Sequence, residues 1–398
     1  MSRMNEISFS KQEQKKHTQE ITRQLQDNNF ENVLVFGSSN ITYLSGGIVF
    51  PYLDQKVPHP VAYYISVIKG QRILFCTFEL TDIPKQLDWD GDVVVYSLNE
   101  KTPKLSLANA ISSYLEGVIA IDENYTSPKQ LEALRQASQN AEFIEIDETL
   151  NSLKLIKSNA EVRLLEIACR MGDRGFISAL NHTEGAALDA LSYPLWEYAE
   201  RFRVHAGEFG GSGVGNISVL KGAGSHELFA PCPPRAVFKD GEFVRLEYSM
   251  HNHGYWITGT RTVYVGKPDT VAEKAYQDNQ ILKKSALQAL VIGNAACDVY
   301  DAVQNNSKAL DIPFWQDIDL GHGLGTMERE APYLTPYDKT ILQEGMVVCL
   351  GVYTYGPSQE LICDRDVYHL TADGPQLLTW HKTYDQLYAM FGTSARHG

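Results

Sequence analysis

Hydrophobic and polar positions follow one texture up to about residue 150 and another beyond it. Ser10 to Asn28 is polar, with Ile21 and Leu25 on one face, which predicts an amphipathic helix. Asn32-Val-Leu-Val-Phe36 is a short apolar run closed by Gly37-Ser-Ser, the pattern of a buried strand. Runs at Val61–Ile68, Arg72–Thr77, Asp92–Tyr96 and Val118–Asp122 predict further strands, and Leu105–Leu115 predicts a helix. Helices alternating with strands predict an α/β domain over residues 1–150.

Past that point helical spacing takes over from Leu153 to His182, through Leu164, Ile167, Ala168, Met171 and Phe176. A second helix is expected over Leu188–Val204. Gly207–Gly224 is glycine-rich, a strand-and-loop texture that lets backbone approach a ligand. It lacks the lysine spacing of a phosphate-binding loop. Strands are expected at Phe243–Tyr248 and Thr260–Val265, then helices at Val271–Ile292 and Val299–Ala309. Apolar runs at Met346–Tyr355, Val367–Leu370 and Leu377-Leu378 complete an α+β domain over residues 151–398. Its helices should lie outside a curved, largely antiparallel sheet.

Composition narrows the classes. A chain of 398 residues is long enough for two cores, and 43% hydrophobic with 21% charged residues suits a soluble protein. No apolar run approaches the roughly 18 residues of a membrane span. The polar stretch Met1–Lys16 has no signal-peptide core, so a cytoplasmic protein without a membrane partner is expected. A formal charge of −14 argues against nucleic acid as a partner. The six cysteines form no CxxC pair and are read as free thiols, Cys232 between prolines included.

Several segments, in order along the chain, resemble the creatinase, prolidase and aminopeptidase P family. They are the turn Ser39-Asn-Ile-Thr-Tyr-Leu-Ser-Gly-Gly47 and the helix opening Leu155-Ile-Lys-Ser-Asn-Ala-Glu161. Asp240-Gly-Glu-Phe-Val-Arg-Leu-Glu247, Gly254–Thr262 and Gly321-His-Gly-Leu-Gly325 follow, then Glu344-Gly-Met-Val-Val348 and Thr371-Ala-Asp-Gly374. The resemblance implies that family's N-terminal α/β domain followed by a "pita-bread" domain, and a homodimer in which Tyr43 and Tyr52 are loop candidates for completing a partner's pocket.

Active peptidases of the family hold two metal ions on two Asp, one His and two Glu, and the paired cations activate water. By the same resemblance the Asp positions fall on Glu247 and Thr258, the histidine on His322, and the Glu positions on Gly351 and Arg365. A one-residue slip would bring Asp364 or Asp366 to the last place. No metal and no cofactor are therefore expected. The stretch Gly321–Ala331 is similar to creatinase, which works without metal and grips its substrate carboxylate with an arginine matching Arg329. The creatinase glutamates that hold the guanidinium match Thr260 and Gly351, which speaks against creatine.

The first expectation is thus a metal-independent, creatinase-like enzyme acting on a small carboxylate-bearing amino-acid derivative by C–N hydrolysis or elimination. His322 would move the proton, oriented by Glu247, with His226 as a further catalytic candidate. Arg329 and Arg365 would hold the carboxylate, with Tyr255, Tyr353 and Thr258 as pocket residues. His205 and Glu208 flank the glycine-rich loop as weaker candidates, and Arg261 is read as structural. A non-catalytic pita-bread scaffold is the second expectation, and a metal-dependent Xaa-Pro peptidase the third.

Overall fold

Ser10 starts the first helix, Lys11–Asp27, with a reciprocal cap in which Glu13 N donates to Ser10 Oγ and Ser10 N to Glu13 Oε2. The computed structural model describes residues 8–50, 61–87, 89–186, 193–207, 212–222, 236–379 and 386–391. These form two compact units, Met1–Lys154 and Leu155–Gly398.

The first unit is built on a six-stranded sheet of β1 (Asn32–Val35), β2 (Ala62–Ser66), β3 (Gln71–Cys76), β4 (Asp92–Val95), β5 (Gly117–Ile121) and β6 (Ala141–Glu145). The order is β4-β3-β2-β1-β5-β6, antiparallel across β1-β2-β3 and parallel elsewhere. β6 and the helix Pro128–Ala137 are additions to the expected elements. Their apolar positions are few, so periodicity alone is silent there. The expected turn at 39–47 is a helix, Ser38–Ser45, stopped by Gly46 at φ 71, where glycine takes the left-handed conformation freely. Tyr43 is buried in this unit and its hydroxyl donates to Leu153 O at 2.8 Å, so it is a packing residue rather than a loop residue. Tyr52 lies outside the described residues.

The single helix expected from Leu153 onward is two helices, Asp147–Lys154 and Asn159–Ala186. The interruption has a local cause. Ser158 N and Oγ both donate to Glu161 Oε2 at 2.8 Å, which starts the second helix afresh.

The second unit holds β7 (Ser212–Lys221), β8 (Phe243–Asn252), β9 (Tyr255–Val265), β10 (His322–Gly323), β11 (Glu330–Tyr333), β12 (Val347–Leu350), β13 (Thr354–Tyr355), β14 (Leu361–Ile362), β15 (Asp366–Thr371), β16 (Gly374–Leu377) and β17 (Tyr388–Met390). One sheet runs β17-β9-β8-β7 and a second runs β11-β10-β12-β15-β16, with β13-β14 as a separate pair. β8 and β9 are one long hairpin turned by His253 and Gly254, whose φ values of 47 and 78 fit a tight hairpin loop. The two sheets join where Thr260 of β9 pairs antiparallel with Arg365, Arg365 N donating to Thr260 O at 3.0 Å. Helices Thr270–Ala289 and Ala296–Leu310 cover the second sheet. Leu282, Ala286, Val299 and Val303 pack there against Val348, Leu350 and Leu370, all fully or almost fully buried. Each of these valine and leucine side chains contributes roughly 1.5–3 kcal/mol. No helix among the described residues is long and apolar enough to cross a membrane.

Candidate functional site

The β8–β9 register builds one wall of a cleft in the second unit. Side chains alternate across a strand, so Arg245, Glu247 and Ser249 share a face of β8. They stand opposite Thr262, Thr260 and Thr258 of β9, and Ser218 of β7 stands beside Glu247. A bulge in β7 between Val214 and Ile217 brings Asn216 to the rim of the cleft, where its backbone N–H donates to Ser249 Oγ at 3.0 Å. The opposite wall comes from β10, the segment before it and the residues flanking β15. The cleft is narrow, with about 30 Å³ within reach of the centre of a water-sized sphere, and its lining includes Ser218, Glu247, Thr258, His322, Tyr353 and Arg365.

The charged groups in it are arranged in a definite order. Tyr353 lies under two guanidinium groups, with Arg245 5.2 Å and Arg365 5.5 Å from its ring centroid. Burial pushes its hydroxyl well above the usual range, so it stays protonated and donates to Glu247 Oε1 at 2.7 Å. Arg245 Nε donates to the same oxygen at 2.9 Å, and its Nη1 donates to Leu361 O at 2.8 Å. Glu247 is thereby held by an arginine and a tyrosine, and the expected pairing of Glu247 with His322 is not formed. His322 is fully buried; its Nδ1 lies 3.1 Å from Gly323 O and its Nε2 3.5 Å from Cys349 Sγ. Burial pushes the Cys349 thiol up, but His322 and Arg365 outweigh it and bring the thiol down to about 6.

The other sequence candidates fall in different places. Arg329 lines the cleft, but its guanidinium is engaged by Asp319 and it is 39% exposed. Tyr255 is not a cleft residue: it is buried, and its hydroxyl donates to Glu161 Oε1 at 3.2 Å. Thr258 and Tyr353 are cleft residues. His205 sits in the last turn of the helix Leu195–Ala206 and does not line the cleft. His226, Glu208 and Cys232 lie outside the described residues. Sequence reasoning missed Asn216, Ser218, Ser249 and Arg245, and read Cys349 only as one of the free thiols. Period-2 spacing from Glu247 would have found Arg245 and Ser249; the bulge that admits Asn216 has no sequence signal.

The profile of metallopeptidase family M24 matches residues 163–372, more than half of the chain, and that of the creatinase/prolidase N-terminal domain matches residues 18–156. The chain belongs to metallopeptidase family M24. Similar relatives include an Xaa-Pro dipeptidase of Pyrococcus horikoshii, 22% identical over 88% of this chain and 93% of that one. Another is an Xaa-Pro dipeptidase of Pyrococcus furiosus, 25% identical over 65% of this chain and 72% of that one. The crystal structure of the prolidase from Pyrococcus horikoshii superposes with a TM-score of 0.75 at 20% identity, covering 92% of this chain and 98% of that one. The two-domain creatinase/prolidase architecture expected from the motifs is the architecture of these proteins. The first functional expectation, a metal-independent creatinase-like enzyme for an amino-acid derivative, is overturned by the same finding: the relatives are dipeptidases.

The M24 name implies metal ions, and the cleft can be tested for them. Glu247 is already neutralised by Arg245, and Thr258 and Gly351 bring no carboxylate. Arg365 adds a fixed positive charge to the wall, which repels a cation. The one-residue slip is also closed. Asp364 is taken up by Thr262 N (2.9 Å) and Tyr276 Oη (2.6 Å). Asp366 is taken up by Arg261 (2.9 Å) and Lys283 (2.5 Å). No group of three or more His, Cys, Asp or Glu suited to a metal ion occurs among the described residues. The residues of this M24 cleft do not fit a two-cation centre.

Proposed function

We propose that this member of family M24 recognises small dipeptides of the Xaa-Pro class in the cleft between the β8–β9 hairpin and the β10–β12–β15 sheet. The observation that carries the reading is the pairing of two unlike walls in one small cleft. Ser218, Ser249, Thr258, Thr260 and Asn216 present hydroxyls and an amide on one side, while Arg365 and His322 face from the other. Polar groups placed this way suit the amide and the charged terminus of a short peptide. Ile318 and the Tyr353 ring add the apolar surface an imino-acid ring needs. The names of the relatives support the same ligand class. The resemblance adds a cytoplasmic homodimer to this reading.

Calorimetric titration of the purified protein with a panel of Xaa-Pro and Xaa-Gly dipeptides tests it. Saturable binding, tighter for Xaa-Pro than for free proline, is the expected result. Release of free amino acids, followed chromatographically with and without added Mn²⁺, Co²⁺ or Zn²⁺, reports turnover in the same samples. Failure of every dipeptide to bind overturns the reading.

A further inference from the structure

The five ligand places implied by the resemblance are split between the two walls of the cleft. Glu247 and Thr258 stand on β8 and β9, while His322, Gly351 and Arg365 belong to the opposite wall. A cation held by ligands from both walls is a cross-link between them, and its binding energy becomes folding energy. A chain whose residues do not fit the cations must join those walls by other means.

Side chains make that joint here. Tyr353, from the segment between β12 and β13, donates across to Glu247 Oε1 of β8 at 2.7 Å. Arg245, also on β8, reaches the other way: its Nη1 donates to Leu361 O of β14 at 2.8 Å, while its Nε donates to the same Glu247 oxygen at 2.9 Å. The Tyr353 ring lies 5.2 Å from the Arg245 guanidinium and 5.5 Å from that of Arg365. Arg365 is tied to β9 through its backbone, N donating to Thr260 O at 3.0 Å. The four side chains are between 1% and 7% exposed, so these charge-assisted contacts are made out of water, where they are strongest.

The same contacts leave no place for a cation. Glu247 Oε1 already accepts from two donors. Glu247 is the one carboxylate at the five places, and two guanidinium charges stand around it, so an approaching cation meets net repulsion. His322 has both ring nitrogens beside groups of its own wall, Nδ1 3.1 Å from Gly323 O and Nε2 3.5 Å from Cys349 Sγ.

We propose that Arg245, Glu247, Tyr353 and Arg365 form a clamp that joins the two walls in place of the paired cations of family M24 and keeps divalent ions out. The clamp is a cross-link within the second unit and does not depend on which ligand enters the cleft. Its failure and that of the dipeptide reading are therefore separate events.

The experiment is hydrogen–deuterium exchange, read by mass spectrometry over residues 351–365 of the full-length protein. The wild type is compared after treatment with EDTA and after incubation with Mn²⁺, Co²⁺ or Zn²⁺, with elemental analysis of the desalted samples. Exchange in this segment should be the same in all four samples, with no stoichiometric ion retained. Tyr353→Leu and Arg245→Met each break the joint, and the segment should exchange roughly tenfold faster or more in each. Added metal should not slow it again. One or two ions retained per wild-type chain, or exchange that rises with EDTA and falls with metal, overturns the clamp. Exchange unchanged in both variants overturns it as well. The wild-type comparison needs no variant and decides the matter even if neither variant folds.

Discussion

Gly351 lies directly against Arg365: a β-carbon built on Gly351 would stand 2.9 Å from Arg365 Cβ, 3.0 Å from its Cα and 2.9 Å from Cys363 Sγ. The two residues fall at the two places where the family resemblance expects glutamates, and they are sterically coupled. Once Arg365 runs past this point, nothing larger than hydrogen fits at 351. Gly351→Ala should therefore destabilise the second unit by about 1–3 kcal/mol through overpacking, read as a lowered urea midpoint. Gly351→Glu should cost more. A variant as stable as the wild type would show that the contact relaxes freely.

Tyr353 joins the two guanidinium groups to Glu247, and its two functions separate by substitution. Tyr353→Phe keeps the ring and removes the donor to Glu247. Glu247 retains Arg245, so a loss of about 1–2 kcal/mol is expected. Tyr353→Leu also removes the ring beneath both cations. It should cost clearly more than the phenylalanine variant. Equal losses in thermal unfolding would mean that the ring contributes nothing beyond its volume.

Asp366 sets an acid limit. Burial alone would raise its carboxyl, but Arg261 and Lys283 outweigh that and hold it well below the usual carboxylate range. Its folded value lies below its unfolded value, so its contribution is complete above the unfolded value, near 4. It is lost as pH falls through the folded value. Unfolding followed from pH 6 downward should show stability decreasing below about pH 4. Asp366→Asn should be destabilised by roughly 3–5 kcal/mol at pH 7, because two buried cations lose their counter-charge, and should show a flatter acid slope. An unchanged slope in the variant would assign acid sensitivity to other carboxylates.

Cys349 should titrate near pH 6, in contrast to Cys363, which burial pushes up to about 12. Ultraviolet absorbance of the thiolate, with Cys349→Ser as the blank, gives the midpoint directly. His322→Asn removes the imidazole and should move the midpoint upward. A wild-type midpoint at or above the ordinary thiol value would show that His322 does not hold the thiolate.

Much of this was readable from one sequence, for identifiable reasons. The strand Asn32–Val35 and the parts Phe243–Tyr248 and Thr260–Val265 of β8 and β9 announce themselves because local apolar patterning and their burial agree; the hairpin ends at 249–252 and 255–259 do not. Ordered landmarks such as Gly321-His-Gly-Leu-Gly325 carry the family, since close backbone approach at these glycines leaves few alternatives. That Thr258, Gly351 and Arg365 fall at the ligand places is what the resemblance implies from sequence alone.

What each charge does there is a tertiary matter. Arg329 and Arg365 are both candidates on paper, but Asp319 engages the first, while Nε and Nη2 of the second are buried without a hydrogen-bond partner. Glu247 reads as the partner of His322, yet Arg245, two residues away on the same strand face, reaches it first. Tyr255 reads as a pocket wall and instead packs behind the hairpin on Glu161. Hydrophobic periodicity is a local signal and survives in sequence. Which buried donor meets which acceptor depends on side chains brought together from distant segments, such as Arg365 with Thr260 and Cys349 with His322, and only the folded chain decides it.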